Sequence, residues 1–174
     1  MTRASAIPGL DRFLFTLTVV ERELRHLEYS RERVFAEPID AAWVECLARD
    51  PEKAESLEAF VSRFGRTQDT IASKLIPRWL NALAEDPGSL LAALNWAERL
   101  GVVERVDHWL EARALRNRLV HEYMDDPQQF AVDLSLAESY VGMLFATWER
   151  IHTHARERME IPSDQLPSGF SHAR

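Results

Sequence analysis

The sequence predicts an all-α fold, because apolar residues recur at helical spacing along nearly the whole chain and no segment shows the alternation of a strand. Capping residues, prolines and glycines divide this pattern into separate helices. The 174 residues are enough for one ordinary domain with its own core. We therefore expect a single domain over residues 1–160, a bundle of four main helices with additional short ones.

The first predicted helix carries one apolar stripe over about six turns. Its members are Leu10, Phe13, Leu17, Val20, Leu24, Leu27 and Val34. Pro38 then interrupts the pattern, and Asp40 is placed to cap a short helix that contains Trp43. Asp50 followed by Pro51 is typical of a capping residue and a first-turn proline, so a second long helix is predicted to begin there.

Pro77 lies inside the apolar pattern of this second long helix. The stripe keeps its phase on both sides of Pro77, so we expect a kink rather than an end. A turn at 86–88 and a capping Ser89 begin a short helix, and a further helix is predicted from about Glu104 to Tyr123.

The last predicted helix has apolar residues at alternating steps of four and three. This spacing gives a narrow apolar seam, typical of a helix that packs against another helix, either in this chain or in a second subunit. The seam consists of Phe130, Leu134, Ala137, Val141, Leu144, Trp148 and Ile151. Residues from Ile161 onward contain two prolines, a glycine and three serines without periodicity. We expect 161–174 to be a disordered C-terminal tail.

The composition excludes several classes of protein. A net charge of −7 argues against a loose, non-specific nucleic-acid binder, which normally has a basic surplus. The longest apolar run near the start, Phe13–Val20, is too short to cross a bilayer, so a cytoplasmic protein without a membrane partner is expected. Cys46 is the single cysteine, which excludes an intrachain disulfide and is expected to be a small core residue.

Positive charge is nevertheless concentrated in two segments, 63–78 and 112–124. In the first, Arg63 and Arg66 flank Gly65 in mid-helix, where glycine costs about 1 kcal/mol relative to alanine. A glycine at such a position indicates the close approach of another helix. We therefore hypothesise that a second helix contacts Gly65 and that both arginines lie near a cleft.

The second segment contains the residues that metal-free RNA cleavage requires. His121, with a pKa near neutrality, could take a proton from a ribose 2′-OH or return one to the leaving 5′-oxygen. The guanidinium of Arg116 could hold the phosphate through two hydrogen bonds, and Asn117 could orient the imidazole or contact a phosphate oxygen. This chemistry leaves a 2′,3′-cyclic phosphate and needs no metal or cofactor.

The spacing of the two central residues sets a geometric condition. Asn117 and His121 are four residues apart and share a helix face, whereas Arg116 and His121 are five apart, roughly 140° around an ideal helix. Arg116 and His121 can therefore act on one atom only if the arginine side chain wraps round, the helix end loosens, or a second subunit supplies one of them.

Arg116, Asn117, His121 and Tyr123 together resemble the R-x4-H-x-Y signature of the HEPN superfamily, specifically the HepT-type toxins of HepT/MntA toxin–antitoxin pairs. The likeness covers residues 10–155 as an order of helices, and its specific part is 116–123. The resemblance implies an all-α HEPN bundle that forms a homodimer, with the two motifs facing a shared cleft. It also implies a metal-independent endoribonuclease, the toxin of a type VII-like toxin–antitoxin pair.

Roles for individual residues follow from the same resemblance. Arg116 and His121 would be the catalytic pair and Asn117 an accessory catalytic residue. Tyr123 would accept AMP from a cognate minimal nucleotidyltransferase antitoxin, which neutralises the toxin. The partners implied are thus an RNA substrate, this antitoxin and a second copy of the chain.

Two other interpretations remain open at this stage. The chain could be a non-catalytic subunit that binds substrate for a nucleotidyltransferase or presents Tyr123 to it, and the net acidity suits such a docking role. A generic helical interaction module would explain the apolar stripes alone. Arg113 and Arg118 are expected to be solvated surface residues rather than RNA contacts.

Overall fold

The structure, a computed structural model, describes residues 6–121 and 125–170, except for the side chain of His121. Within these ranges the regular secondary structure is entirely helical, which confirms the all-α prediction. The helices are α1 (Leu10–Val34), α2 (Ala41–Cys46), α3 (Pro51–Thr70), α4 (Ile76–Ala82), α5 (Leu90–Arg99), α6 (Val106–His121) and α7 (Pro127–Glu157). A 3₁₀ turn, Leu47–Arg49, follows α2, and a π-helical turn, Ile71–Leu75, joins α3 to α4.

Four helices begin at capping residues, and three of these, Asp40, Asp50 and Ser89, were expected from the sequence. In each case a side-chain oxygen accepts a hydrogen bond from the backbone N–H three residues later, which would otherwise have no partner in the helix. The pairs are Asp40 with Trp43 at 2.8 Å, Asp50 with Lys53 at 3.0 Å, Ser89 with Ala92 at 3.2 Å, and Asp126 with Gln129 at 3.0 Å.

The chain remains helical through Pro77, as predicted, but the adjustment takes the form of a π-helical turn just before it. The N–H of Ile76 donates to the carbonyl of Ile71, five residues back. Proline has no N–H, and its ring crowds the carbonyl four residues earlier, so a wider turn beside it relieves the conflict. Ile71, Leu75 and Trp79 all stay fully buried across this turn.

Backbone contacts group the chain into two compact units. The terminal unit comprises the described residues up to Arg22, Asp69–Val106, and the described residues from Thr147 onward. The central unit comprises Glu23–Gln68 and Asp107–Ala146. A single domain over residues 1–160 stays a prediction.

Side-chain contacts link four helical segments of the central unit in a closed cycle. Arg63 of α3 contacts Ser30 of α1, Gly65 of α3 contacts Arg116 of α6, Arg118 of α6 pairs with Asp133 of α7, and Glu138 of α7 pairs with Arg31 of α1. This unit is therefore a four-helix arrangement built from parts of α1, α3, α6 and α7.

The seam of α7 is buried within this one chain. All seven of its residues are at most 2% exposed. The seam therefore packs on the chain itself, and the homodimer, which stays a prediction, would have to use other residues. By length and composition α7 is the one helix among the described residues that could cross a membrane, and half of its most apolar window is buried inside the protein.

Residues 161–170 differ from the predicted disordered tail. Ile161 is buried, and the ring of Phe170 packs edge-on against Trp148 with centroids 5.0 Å apart. The N–H of Gly169 donates to Glu21 Oε1 at 2.8 Å. The contacts depend on two isolated apolar residues, which produce no periodic pattern in the sequence. Residues 171–174 lie outside the described part of the chain.

Candidate functional site

Helix α6 carries three of the predicted site residues, Arg116, Asn117 and His121, at its C-terminal end. Its buried face consists of Val106, Trp109, Ala112, Leu115 and Leu119. Arg116 lies at the edge of this face and is half-buried, whereas Asn117 is exposed. His121 is the last residue of α6, and Tyr123 lies outside the described residues.

The side chain of Arg116 lies directly over Gly65 of α3. A Cβ atom added to Gly65 would be 2.6 Å from Arg116 Nε and 3.1 Å from both Cγ and Cδ. These separations are shorter than van der Waals contact, so any side chain at position 65 would occupy the space of the arginine. The hypothesis that this mid-helix glycine marks the approach of a second helix is confirmed, and the approaching helix is α6.

The two arginines beside Gly65 contact a different helix. Arg63 Nη1 donates to Ser30 Oγ at 2.6 Å and to the backbone carbonyl of His26 at 3.1 Å, both on α1. Arg66 Nε lies 3.8 Å from Glu23 Oε1, also on α1. Gly65 thus meets α6, while the contacts described for Arg63 and Arg66 join α3 to α1.

Arg118 is held in an ion pair that the sequence analysis missed. Its Nε and Nη2 atoms each lie 3.2 Å from a carboxylate oxygen of Asp133, which is almost fully buried on α7. Gln129 Nε2 donates to the same carboxylate at 3.2 Å. Arg118 therefore joins α6 to α7 and is not the solvated surface residue that was expected.

A second polar link between α6 and α7 involves Tyr140. Its hydroxyl donates to Glu111 Oε2, and its ring lies beside that of His108 with centroids 6.1 Å apart. Burial, followed by the hydrogen bond to Glu111, raises the pKa of Tyr140 to about 12. The phenol therefore stays protonated at neutral pH and acts as a donor between the two helices. The sequence offers no signal for this pair, because Tyr140 lies outside the motif.

The helix geometry removes one of the three ways in which Arg116 and His121 could act together. The backbone stays α-helical through His121, so the helix does not loosen before the histidine. The five-residue separation therefore keeps its roughly 140° offset. Either the arginine side chain reaches round α6, or a second copy of the chain supplies one of the two residues.

Two histidines near the end of α7 have partners within the protein. His152 stacks on Trp148 with centroids 4.9 Å apart, and His154 Nδ1 accepts a hydrogen bond from Trp79 at 3.2 Å. Across the described residues no group of three or more His, Cys, Asp or Glu side chains could hold a metal ion. Cys46, expected in the core, is exposed at the end of α2, where it has no neighbouring cysteine.

No protein-family model, curated protein or solved structure matches the chain. The interpretation of the site therefore depends on residues 116–123 and on the contacts that surround Arg116.

Proposed function

We propose that the chain is the toxin of a type VII-like toxin–antitoxin pair and cleaves RNA without a metal ion. The observation that supports this proposal most is the placement of Arg116, which is half-buried over Gly65 on the last two turns of α6. Asn117 is exposed beside it, and α6 ends at His121. The proposed fold is correspondingly a HEPN-like bundle.

In the proposed reaction His121 takes the proton from a ribose 2′-OH, and the oxygen attacks the adjacent phosphorus. The new O2′–P bond forms as the P–O5′ bond breaks, and an imidazolium returns a proton to the leaving oxygen. Arg116 donates two N–H groups to the non-bridging oxygens, where charge increases in the transition state. Half-burial strengthens these hydrogen bonds because less water competes for them.

Alanine substitutions test the two central residues. We expect Arg116→Ala and His121→Ala each to lower RNA cleavage by about 10²–10³-fold, the usual loss when a charge-stabilising group or general base is removed. Arg116→Lys should lose most of the activity, because lysine cannot form the bidentate contact. The measurement is cleavage of a labelled RNA by the purified protein with EDTA present.

Arg113→Ala is the matched control, since Arg113 is an exposed arginine on the same helix. It should keep full activity, and all four variants should retain the helical circular dichroism of the parent. Cleavage that survives both alanine substitutions at Arg116 and His121 would contradict the mechanism, as would a strict need for Mg²⁺.

Mixed protomers distinguish the two routes by which Arg116 and His121 could meet. If a homodimer forms each site from one Arg116 and the other copy's His121, mixing Arg116→Ala with His121→Ala protein restores one intact site per mixed dimer. If each protomer contains its whole site, every site in the mixture lacks one residue and cleavage stays absent.

Neutralisation is tested by co-expression with a minimal nucleotidyltransferase encoded beside the gene. Intact mass spectrometry should show a gain of one or more AMP units, lost in Tyr123→Phe. A gain of AMP on a chain that never cleaves RNA would favour the non-catalytic partner subunit instead.

A further inference from the structure

We infer that Gly65 is a positioning residue for Arg116: the bare helix surface at Gly65, here termed the Gly65 notch, fixes the path of the arginine side chain. The contact is a property of the fold, whereas its effect on RNA cleavage rests on the proposed function. Three consecutive atoms of the arginine, Cγ, Cδ and Nε, are the nearest neighbours of the space where a Cβ would be.

The notch is specific to this glycine. Gly142, inside α7, has no atom within 4 Å of the position where its Cβ would lie, so alanine fits there freely. Both glycines lower helix stability relative to alanine. Only at Gly65 does the missing side chain leave room for another residue, which makes Gly142 a matched control.

The helices on both sides of the notch are anchored. Arg63, half a turn before Gly65, holds α3 to Ser30 and to the His26 carbonyl of α1. Arg118, half a turn beyond Arg116, holds α6 to Asp133 of α7. Arg31 in turn joins α1 to Glu138 of α7. These contacts link α3 to α6 through the two other helices, so the two backbones cannot readily separate when a methyl group is added between them.

An alanine at position 65 consequently displaces the arginine rather than the helix. The atom that blocks the new methyl group most closely, at 2.6 Å, is Nε, near the end of a flexible side chain. A displacement of about 1 Å restores normal contact, and misplacement of a catalytic group by that distance can lower a rate by about 10²-fold. We expect Gly65→Ala to fold and to lower kcat by about 10–100-fold, with KM changed less than about threefold.

Two readouts test the inference. The first is the split between kcat and KM for Gly65→Ala, compared with Gly142→Ala, which should match the parent. The second is the NMR resonance of the Arg116 Nε–H group, assigned by its disappearance in Arg116→Lys. This resonance should shift in Gly65→Ala and stay in place in Gly142→Ala.

A double-mutant cycle at positions 65 and 116, measured by thermal unfolding, distinguishes a specific contact between Gly65 and Arg116 from a general effect of the substitution on stability. Gly142→Ala should raise Tm by about 1–4 °C through helix propensity alone. Gly65→Ala should give a comparable rise when Arg116 is already alanine, and a smaller rise or a fall in the parent.

The outcomes are distinct. A shifted resonance with reduced kcat supports the inference. An unmoved resonance, or a kcat loss equal to that of Gly142→Ala, overturns it. A third outcome is that the parent protein does not cleave RNA, while the resonance still shifts and the Tm effect of Gly65→Ala still depends on Arg116. That result supports the Gly65 notch as a structural contact. It overturns both the proposed function and the catalytic effect of Gly65.

Discussion

Arg116 and Arg118 are two residues apart on α6 but have different surroundings. Arg118 faces the buried carboxylate of Asp133, whereas the Arg116 side chain runs across a glycine. A guanidinium held by a buried carboxylate is neutralised and fixed, so it suits a structural role. The assignment of roles within the motif therefore depends on what each arginine contacts, which residue type alone does not show.

Removing the Arg118 guanidinium should destabilise the protein. Asp133 would then keep a buried negative charge with only Gln129 described as a donor. Breaking a fully buried pair costs about 3–5 kcal/mol. The Arg118 side chain is 38% exposed, so we expect Arg118→Ala to lower the free energy of unfolding by about 2 kcal/mol. The measurement is urea unfolding.

The double variant Arg118→Ala/Asp133→Asn serves as the control, because it removes both charges. It should recover part of the loss. A loss in Arg118→Ala no larger than that in Arg113→Ala would show that the pair contributes nothing to stability.

Helix ends were predictable from the sequence because they are determined locally. Asp40, Asp50 and Ser89 each cap a helix through a hydrogen bond that spans three residues of chain, as the sequence predicts. The π-helical turn at Ile71–Leu75 was not predictable in form. A proline inside a continuous stripe requires some relief, but several backbone geometries provide it.

A contact between helices was predictable from the sequence only where the residue type at one position has few structural explanations, as a glycine in mid-helix does. Gly65 indicated a close approach, yet nothing in the sequence showed that its neighbour would be Arg116 rather than a core residue. The pair of Arg118 and Asp133 spans 15 residues and a turn, and many acidic residues were equally available. The candidate site was therefore predictable as a motif, while its surroundings required the fold.

The contact between α4 and α7 should make stability depend on pH. Trp79 Nε1–H donates to His154 Nδ1, which must be unprotonated to accept. Burial, and then the nearby Arg158, lower the pKa of His154. The unfolded chain therefore binds the proton more readily, and stability is lost as the pH falls below about 6.5, the ordinary histidine value.

We expect Tm to fall between pH 7 and pH 5, and His154→Gln to reduce that fall, because glutamine does not titrate. His26→Gln is the control, since His26 is an exposed histidine on α1. Equal pH dependence in the parent and His154→Gln would contradict this role.

For the whole molecule, the net charge of −7 has to be considered together with where the arginines lie. Arg63 and Arg66 contact α1, and Arg118 contacts Asp133, so these three guanidinium groups have partners in the protein. Within the two arginine-rich segments, the proposal assigns the phosphate contact to Arg116 alone. Such an arrangement favours a local site over a broad basic surface.

The C-terminal segment should contribute to the stability of the terminal unit. Glu21 is 7% exposed and accepts hydrogen bonds from Gly169 N at 2.8 Å and Ser168 Oγ at 3.3 Å. A chain that ends at Ile161 loses both donors and the contact of Phe170 with Trp148. The loss of hydrogen bonds to a buried acceptor costs about 1–3 kcal/mol, so Tm should fall by about 4–8 °C for a loss near 2 kcal/mol.

A chain that ends at Phe170 is the matched control, because it retains every one of these contacts, and its Tm should lie above that of the chain that ends at Ile161. The substitution Glu21→Gln, combined with truncation at Ile161, separates the two contributions. It removes the buried charge, so the part of the Tm loss that comes from the carboxylate should be recovered, while the part that comes from Phe170 persists. A truncated chain with the Tm of the parent would mean that residues 162–170 lie on the terminal unit without stabilising it.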